Sequence, residues 1–325
     1  MVTTHYATER NIFLNDYRGR LLESITYNPN NNSVSWVDII LGEVHRTFLD
    51  DLNHHDVLKV PGKNERAGVY YLTDNDDEIF IAARYGILKA NWKTGEIGDY
   101  LVKYSDHGAE KDRIRSNDGH VDPFGNAWIG TMTDFEHGKI VPEGSVYRIK
   151  QTNDLKYEVK EMIPNVLIPN GIAWQDNNKS LVWVDSLNFK LWKFDYVDGN
   201  LTSKREFFDT SKYFTDNLSP EPDGNCYTKD GHIYQCVFLT NKVLHLSPTG
   251  EVLEEFVFPA SNLTSCYIGG PNMDQLFVTS AHHKLTDMDY KIDSLDVTGD
   301  LGGFLFKFDL GHSVNLQPKY HLQWK

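Results

Sequence analysis

Six short apolar runs of one form recur along the chain, and their spacing limits the fold more than any other property of the sequence. They are Val34-Ser35-Trp36, Ile79-Phe80-Ile81, Trp128-Ile129-Gly130, Val182-Trp183-Val184, Ile233-Tyr234-Gln235 and Leu276-Phe277-Val278. From Ser35 through Phe80, Ile129, Trp183 and Tyr234 to Phe277, the steps are 45, 49, 54, 51 and 43 residues. A period of about 40–50 is what a four-stranded propeller blade requires. Each run is followed by a further strand-like segment, and Thr94-Gly95, Asp198-Gly199 and Thr249-Gly250 supply the positive φ of tight hairpins. Sustained helical periodicity is scarce. The chain therefore reads as all-β, a six-bladed β-propeller. No Pro/Ser/Gly-rich linker or composition shift divides it, so residues 1–325 are expected to form one domain rather than two.

Charge and composition narrow the function. With 32 Lys+Arg against 46 Asp+Glu, the net charge is −14, which repels nucleic-acid phosphates and anionic membrane surfaces. Neither is an expected partner. No apolar run approaches the roughly 20 residues of a membrane helix, and the N-terminal stretch is too polar for an export signal. The 3 cysteines, Cys226, Cys236 and Cys266, are too few and too scattered for a disulfide framework. A reducing intracellular setting, the cytoplasm and with it the nucleus, is the expectation. The acceptor patterns Asn200-Leu201-Thr202 and Asn262-Leu263-Thr264 need secretion to matter and are read as chance.

In a propeller the residues opening each innermost strand gather at one mouth of the central channel. Counting back 11–13 residues from the centres of the runs reaches Glu23, Asn117, Asn170 and Asp223. Four blades thus offer side-chain oxygens at one register, while the equivalent stretches near Gly68 and Ser265 are small and uncharged, leaving room for a ligand. Carboxylate and amide oxygens without a Cys or His pattern suit a hard divalent cation: calcium first, then magnesium or manganese, ahead of zinc. The competing reading is that Asp118-Gly119, Asn170-Gly171 and Asp223-Gly224 are merely hairpin turns. Glu23 weighs against it, because a carboxylate flanked by Leu21, Leu22 and Ile25 needs a partner or a metal if buried.

These positions fall within motifs that resemble the senescence-marker-protein, regucalcin and gluconolactonase family of six-bladed propellers. The segments are Arg115-Ser116-Asn117-Asp118-Gly119 with Val121-Asp122-Pro123 and Gly130-Thr131-Met132; Ile168-Pro169-Asn170-Gly171-Ile172-Ala173-Trp174; Pro222-Asp223-Gly224-Asn225; and Thr264-Ser265-Cys266-Tyr267-Ile268-Gly269-Gly270. The resemblance implies a divalent-metal-dependent lactonase acting on a sugar lactone or related ester. Glu23, Asn170 and Asp223 would be metal ligands, with Arg115 and Asn117 reaching the substrate. Two departures stand out: Glu23-Ser24-Ile25 replaces the family's Glu-Gly-Pro, and Phe135, between Asp134 and Glu136, stands where the family carries an acidic sugar-binding residue.

On this reading the metal polarises the lactone carbonyl while Asp223 also takes a proton from the attacking water. Other motifs carry less. His54-His55 and His282-His283 are adjacent pairs whose side chains diverge on a strand, and Asp74-Asn75-Asp76-Asp77-Glu78 lacks the Gly of an EF-hand and reads as a hairpin tip. GxSxG, HExxH, GxGxxG and P-loop patterns are absent from the sequence. The alternative function is a non-enzymatic metal-binding propeller acting as a regulatory or scaffold protein.

Overall fold

The recurring runs are the second strands of six sheets, each paired to an innermost strand that precedes it. A computed structural model describes residues 2–104 and 113–325 as a six-bladed propeller: blade 1, Leu22–Lys59; blade 2, Ala67–Lys103; blade 3, Ile114–Val166; blade 4, Pro169–Asp209; blade 5, Glu221–Val257; blade 6, Leu263–Asp309. Alternation builds the sheets, and large side chains fill the spaces between them. Trp36, Trp128 and Trp183, within three of the runs, are all essentially without solvent contact. Each such burial contributes roughly 1.5–3 kcal/mol. The hairpin glycines Gly95, Gly199 and Gly250 have φ of 73°, 74° and 88°, as the turns require. The Asp74–Asp77 stretch is indeed a hairpin tip, between strands Ala67–Leu72 and Glu78–Ala83.

Five blades supply their own four strands, and blade 6 supplies three. The N-terminal segment completes the ring. Thr3–Tyr6 runs parallel to Val252–Val257 at the edge of blade 5, then Ile12 bridges Phe306 and the Phe13 amide donates to the Leu305 carbonyl at 2.8 Å in blade 6. The C-terminal tail crosses the channel. The Gln317 amide donates to the Tyr227 carbonyl (2.9 Å) and the Leu322 amide to the Leu72 carbonyl (2.8 Å), at the ends of the inner strands of blades 5 and 2. Lys319 and Tyr320 thereby sit among Tyr70, Tyr71 and His120. One mouth is covered by chain, and the strand-opening residues lie at the other.

Residues 281–305 form a long insertion between the second and third strands of blade 6. Two arginines just before blade 1 bind its carbonyls. Arg18 donates to the carbonyls of Gly302 (Nε, 2.9 Å), Asp296 (Nη1, 2.8 Å) and Asp300 (Nη2, 2.9 Å), and Arg20 to those of Asp287 (Nη1, 2.8 Å) and Tyr290 (Nη2, 2.8 Å). The insertion is thus held over the open mouth. The three cysteines are free and buried, and no described helix is long and apolar enough to cross a membrane.

Candidate functional site

Every innermost strand carries a register shift near its start: at Glu23/Thr26, Ala67/Val69, Ser116/Gly119, Asn170/Ile172, Pro222/Asn225 and Leu263/Cys266. A bulge turns side chains away from the pleat. Here the bulges turn Glu23, Asn117, Asn170 and Asp223, each no more than 7% exposed, toward one pocket of about 490 Å³ that Arg115 also lines. All five residues singled out from the sequence therefore meet, although they lie in four blades.

The dipeptides that could have been hairpin turns are inside strands. Gly171 and Gly224 are needed for close approach between blades: a Cβ on Gly171 would stand 2.3 Å from Asn225 Nδ2, and one on Gly224 2.8 Å from Ser265. Neither has positive φ. Gly68 is likewise pressed against its neighbour, a Cβ there meeting the Asn117 carbonyl at 2.3 Å, so its smallness serves packing and blade 2 adds nothing to the pocket lining among the described residues. In blade 1 the corresponding position is Ser24, at φ 55°, with its hydroxyl buried and unpartnered. This left-handed conformation differs from that of Gly171 and Gly224, and a serine holds it at a cost of about 1–2 kcal/mol. Ser24→Gly is accordingly expected to stabilise the fold by about 1 kcal/mol after the loss of unfolded-state restriction, read from denaturant midpoints; an unchanged or lower midpoint would refute the strain.

Second-strand aspartates fix two of these segments. Asp38 and Asp185 close the matching sequences Ser-Trp-Val-Asp and Val-Trp-Val-Asp. Asp38 accepts from the Arg20 amide (2.7 Å) just before Glu23, and Asp185 from the Ile168 amide (3.1 Å) just before Asn170. The amides are then oriented by a chain of hydrogen bonds across three blades. Arg115 Nη1 donates to Asn117 Oδ1 (2.8 Å), Asn117 Nδ2 to Asn170 Oδ1 (2.9 Å), Asn170 Nδ2 to Ser186 Oγ (2.8 Å), and Ser186 Oγ to the Pro222 carbonyl (2.6 Å). Asn117 Nδ2 also donates to the Pro169 carbonyl (3.0 Å), so each Asn is held on both its oxygen and its nitrogen and both side chains are fixed.

The carboxylates are under electrostatic stress. Burial, reinforced by Asp118 and opposed by the Ser24 amide, pushes the Glu23 carboxyl up to about 8. Burial and the neighbouring Glu23 push Asp223 well above the usual carboxylate range, and Asp223 Oδ1 is buried with no hydrogen-bond partner. Two adjacent buried acids and an orphaned oxygen beside an oriented amide fit a hard cation. Among the described residues no group of three or more His, Cys, Asp or Glu forms a metal cluster, so any such site depends on the amide oxygens.

Arg115 is fully buried, with Nε and Nη2 lacking hydrogen-bond partners, and burial lowers its guanidinium to about 10. Its Cζ lies 4.9 Å from the centre of the Phe135 ring. Phe135 lines the pocket. Its acidic neighbours are taken by arginines: Asp134 Oδ2 pairs with Arg66 (3.1 Å) and Arg84 (2.9 Å), and Glu136 Oε1 with Arg84 (2.5 Å). Sequence reading missed Ser186, Glu221, Phe238 and His283 as lining residues. Ser186 directly follows the Trp-Val-Asp repeat, which was a usable signal. On sequence His283 is set aside with His282 as a pair diverging on a strand, but both lie in the 281–305 insertion and outside any strand. His282 is buried and His283 exposed, their rings stacked at 4.3 Å.

Comparison with known proteins agrees with this fold. The family profile described as "SMP-30/Gluconolactonase/LRE-like region" matches residues 21–282. The "Cell growth-regulated gene 1 protein" of Candida albicans is 42% identical, covering 96% of each chain. A 6-deoxy-6-sulfogluconolactonase of Pseudomonas putida is 28% identical over 76% of this chain and 78% of its own. In fold, the chain resembles the calcium-binding protein regucalcin of Agrobacterium tumefaciens, with a TM-score of 0.79, 21% identity and full coverage of both chains. The chain belongs to the SMP-30/gluconolactonase/LRE-like family.

Proposed function

We propose that this protein is a divalent-metal-dependent lactonase, opening a sugar lactone or related ester to its hydroxy acid. The observation that carries the proposal is the buried Glu23–Asp223 pair, with Asp223 Oδ1 unpartnered, beside the oriented amide of Asn170. Family membership and the lactonase relative support the reaction class. Glu23, Asn170 and Asp223 would hold the cation, calcium being the best match to an all-oxygen donor set. Bound there, it would supply Lewis-acid polarisation of the carbonyl and a more acidic water.

The chain's own groups do the rest. Arg115, whose Nε and Nη2 lack hydrogen-bond partners, hydrogen-bonds a substrate oxygen, while Asn117 Oδ1 and the Ser116 carbonyl hold its Nη1. Asp223 accepts a proton from the attacking water as the water oxygen bonds to the acyl carbon. The acyl–oxygen bond then breaks and the proton passes to the leaving alkoxide, which becomes the hydroxyl of the product.

Turnover of an aldonolactone panel with calcium or manganese, and its loss on chelation, tests the reading; tight metal binding without turnover on any lactone would favour the non-enzymatic alternative. Proton competition provides a second test. Because the folded-state value of Glu23, about 8, exceeds its ordinary 4.5, the protonated form stabilises the metal-free fold. That stability is fully present below about pH 4.5 and is lost as pH rises through about 8. Calcium must displace the protons of the Glu23–Asp223 pair, so its affinity is expected to rise at least about tenfold per pH unit from pH 6 toward pH 8. A flat calorimetric profile would contradict a site built on Glu23.

A further inference from the structure

The floor of the pocket and its wall differ in chemistry. On the floor, Asn117, Asn170 and Ser186 are committed to one another and to the Pro222 carbonyl, and Glu23 and Asp223 form the candidate metal site. Glu221 accepts from the Ser219 hydroxyl at 2.6 Å through Oε1, which leaves one carboxylate oxygen as an acceptor at the floor. The wall is mostly Leu21, Phe135, Ile168, Leu187, Phe238 and Leu285, with His283 and Thr286 of the 281–305 insertion as its polar members. Phe135, Phe238 and Leu285 pack against the buried cluster containing Leu21 and Ala281, so this side of the wall is continuous with the core. Among the described residues, His283 and Thr286 are the polar groups of the wall, and the rest of it is carbon.

A lactone group carries two oxygens that only accept, and Arg115 has two buried nitrogens that only donate. The head of the substrate thus matches the floor. The hydroxyls of an aldonolactone each add a donor that must find an acceptor when buried. The wall offers carbon instead, and carbon gains from covering an alkyl or aryl group. Resting on the lactonase reading above, we propose that the preferred lactone bears an apolar alkyl or aryl substituent in place of sugar hydroxyls. Phe135, stacked beneath Arg115, is the specificity-determining residue that seats it.

The test compares δ-nonalactone with D-glucono-δ-lactone on the calcium- or manganese-loaded full chain. The wild type is expected to favour the alkyl lactone by at least about tenfold in kcat/KM. Phe135→Glu should lower that ratio about tenfold or more, while Phe135→Leu, which keeps the wall apolar, should retain the preference. Equal or better use of gluconolactone by the wild type, or a ratio unmoved by Phe135→Glu, overturns the proposal. If neither lactone is turned over, the lactonase reading fails and the pocket is tested by calorimetry with 6-butylpiperidin-2-one, the lactam analogue of δ-nonalactone, against sorbitol. Tighter lactam binding, weakened by Phe135→Glu, supports an apolar ligand; tighter sorbitol binding, or no binding of the lactam, overturns it.

Discussion

Asp223→Asn in the metal-loaded protein is expected to lower kcat/KM for lactone hydrolysis by about 10³-fold or more, equivalent to about 4 kcal/mol of lost transition-state stabilisation. The substitution keeps the shape of the side chain while removing its charge and its capacity to accept a proton. Both of its proposed contributions end together: it can no longer balance a cation opposite Glu23, and it can no longer act as the base toward water. Glu23→Gln should approach the same loss through the metal alone. Calorimetry separates the two roles, since a variant that still binds calcium but does not turn over has lost the base, and one that binds none has lost the site. Near-native turnover by Asp223→Asn or Asp223→Ala with metal bound would remove Asp223 from the chemistry. Combining both substitutions should cost little more than either, because residues acting as one unit are not additive.

Asp122→Ala is expected to be the most destabilising single change described here, costing about 3–5 kcal/mol without touching the pocket. The carboxylate is completely buried. It accepts from the amides of Phe124 and Asn126 (both 2.9 Å), from Asn126 Nδ2 (2.9 Å to Oδ2), from Trp128 Nε1 (3.0 Å) and from the Tyr196 hydroxyl of the next blade (2.9 Å). Alanine would leave these donors in a space that also holds Trp174, whose ring centre lies 4.7 Å from that of Tyr196. Each stranded donor costs about 1–3 kcal/mol, partly recovered if water enters. The total is a large fraction of the 5–15 kcal/mol by which a typical domain is stable. A thermal midpoint lowered by on the order of 10 °C, with unchanged kcat/KM for the folded fraction, is the expected result. A midpoint within about 1 °C of wild type would show that the network carries little energy.

Asp122 also illustrates how much the sequence discloses. Its Val-Asp-Pro motif identified the position as part of a family pattern, but nothing local distinguished a structural anion from a catalytic one. The distinction is the identity of the donors, and one of them, Tyr196, is 74 residues away. The candidate site shows the opposite case. Glu23, Asn117, Asn170 and Asp223 were legible because a propeller converts a sequence period into rotation about one axis, bringing equal registers to one mouth. Arg115 was legible only through the family motif that contains Asn117, and the structure shows a bulge between Ser116 and Gly119 in the strand opening that carries both. Their coupling to Ser186 was not legible, because it runs through side-chain hydrogen bonds between blades, for which the chain carries no periodic signal. Phe135 could be flagged as an oddity, yet only the ion pairs of Asp134 and Glu136 with Arg66 and Arg84 leave the aromatic ring as the group lining the pocket.

By itself the sequence determined the all-β class, the number of blades, and which oxygens share a register, because alternation and period are local properties that any chain copy repeats. Only the tertiary structure decided how the ring closes, what covers its other mouth and what walls the pocket. Closure uses Thr3–Tyr6 and Ile12 against strands some 250–300 residues away, the tail from Leu316 to Leu322 spans blades 5 and 2, and the 281–305 insertion is held by Arg18 and Arg20 through backbone carbonyls. Such contacts pair non-repeating segments through groups that every residue possesses, and their energy appears only once the distant partners have been brought together.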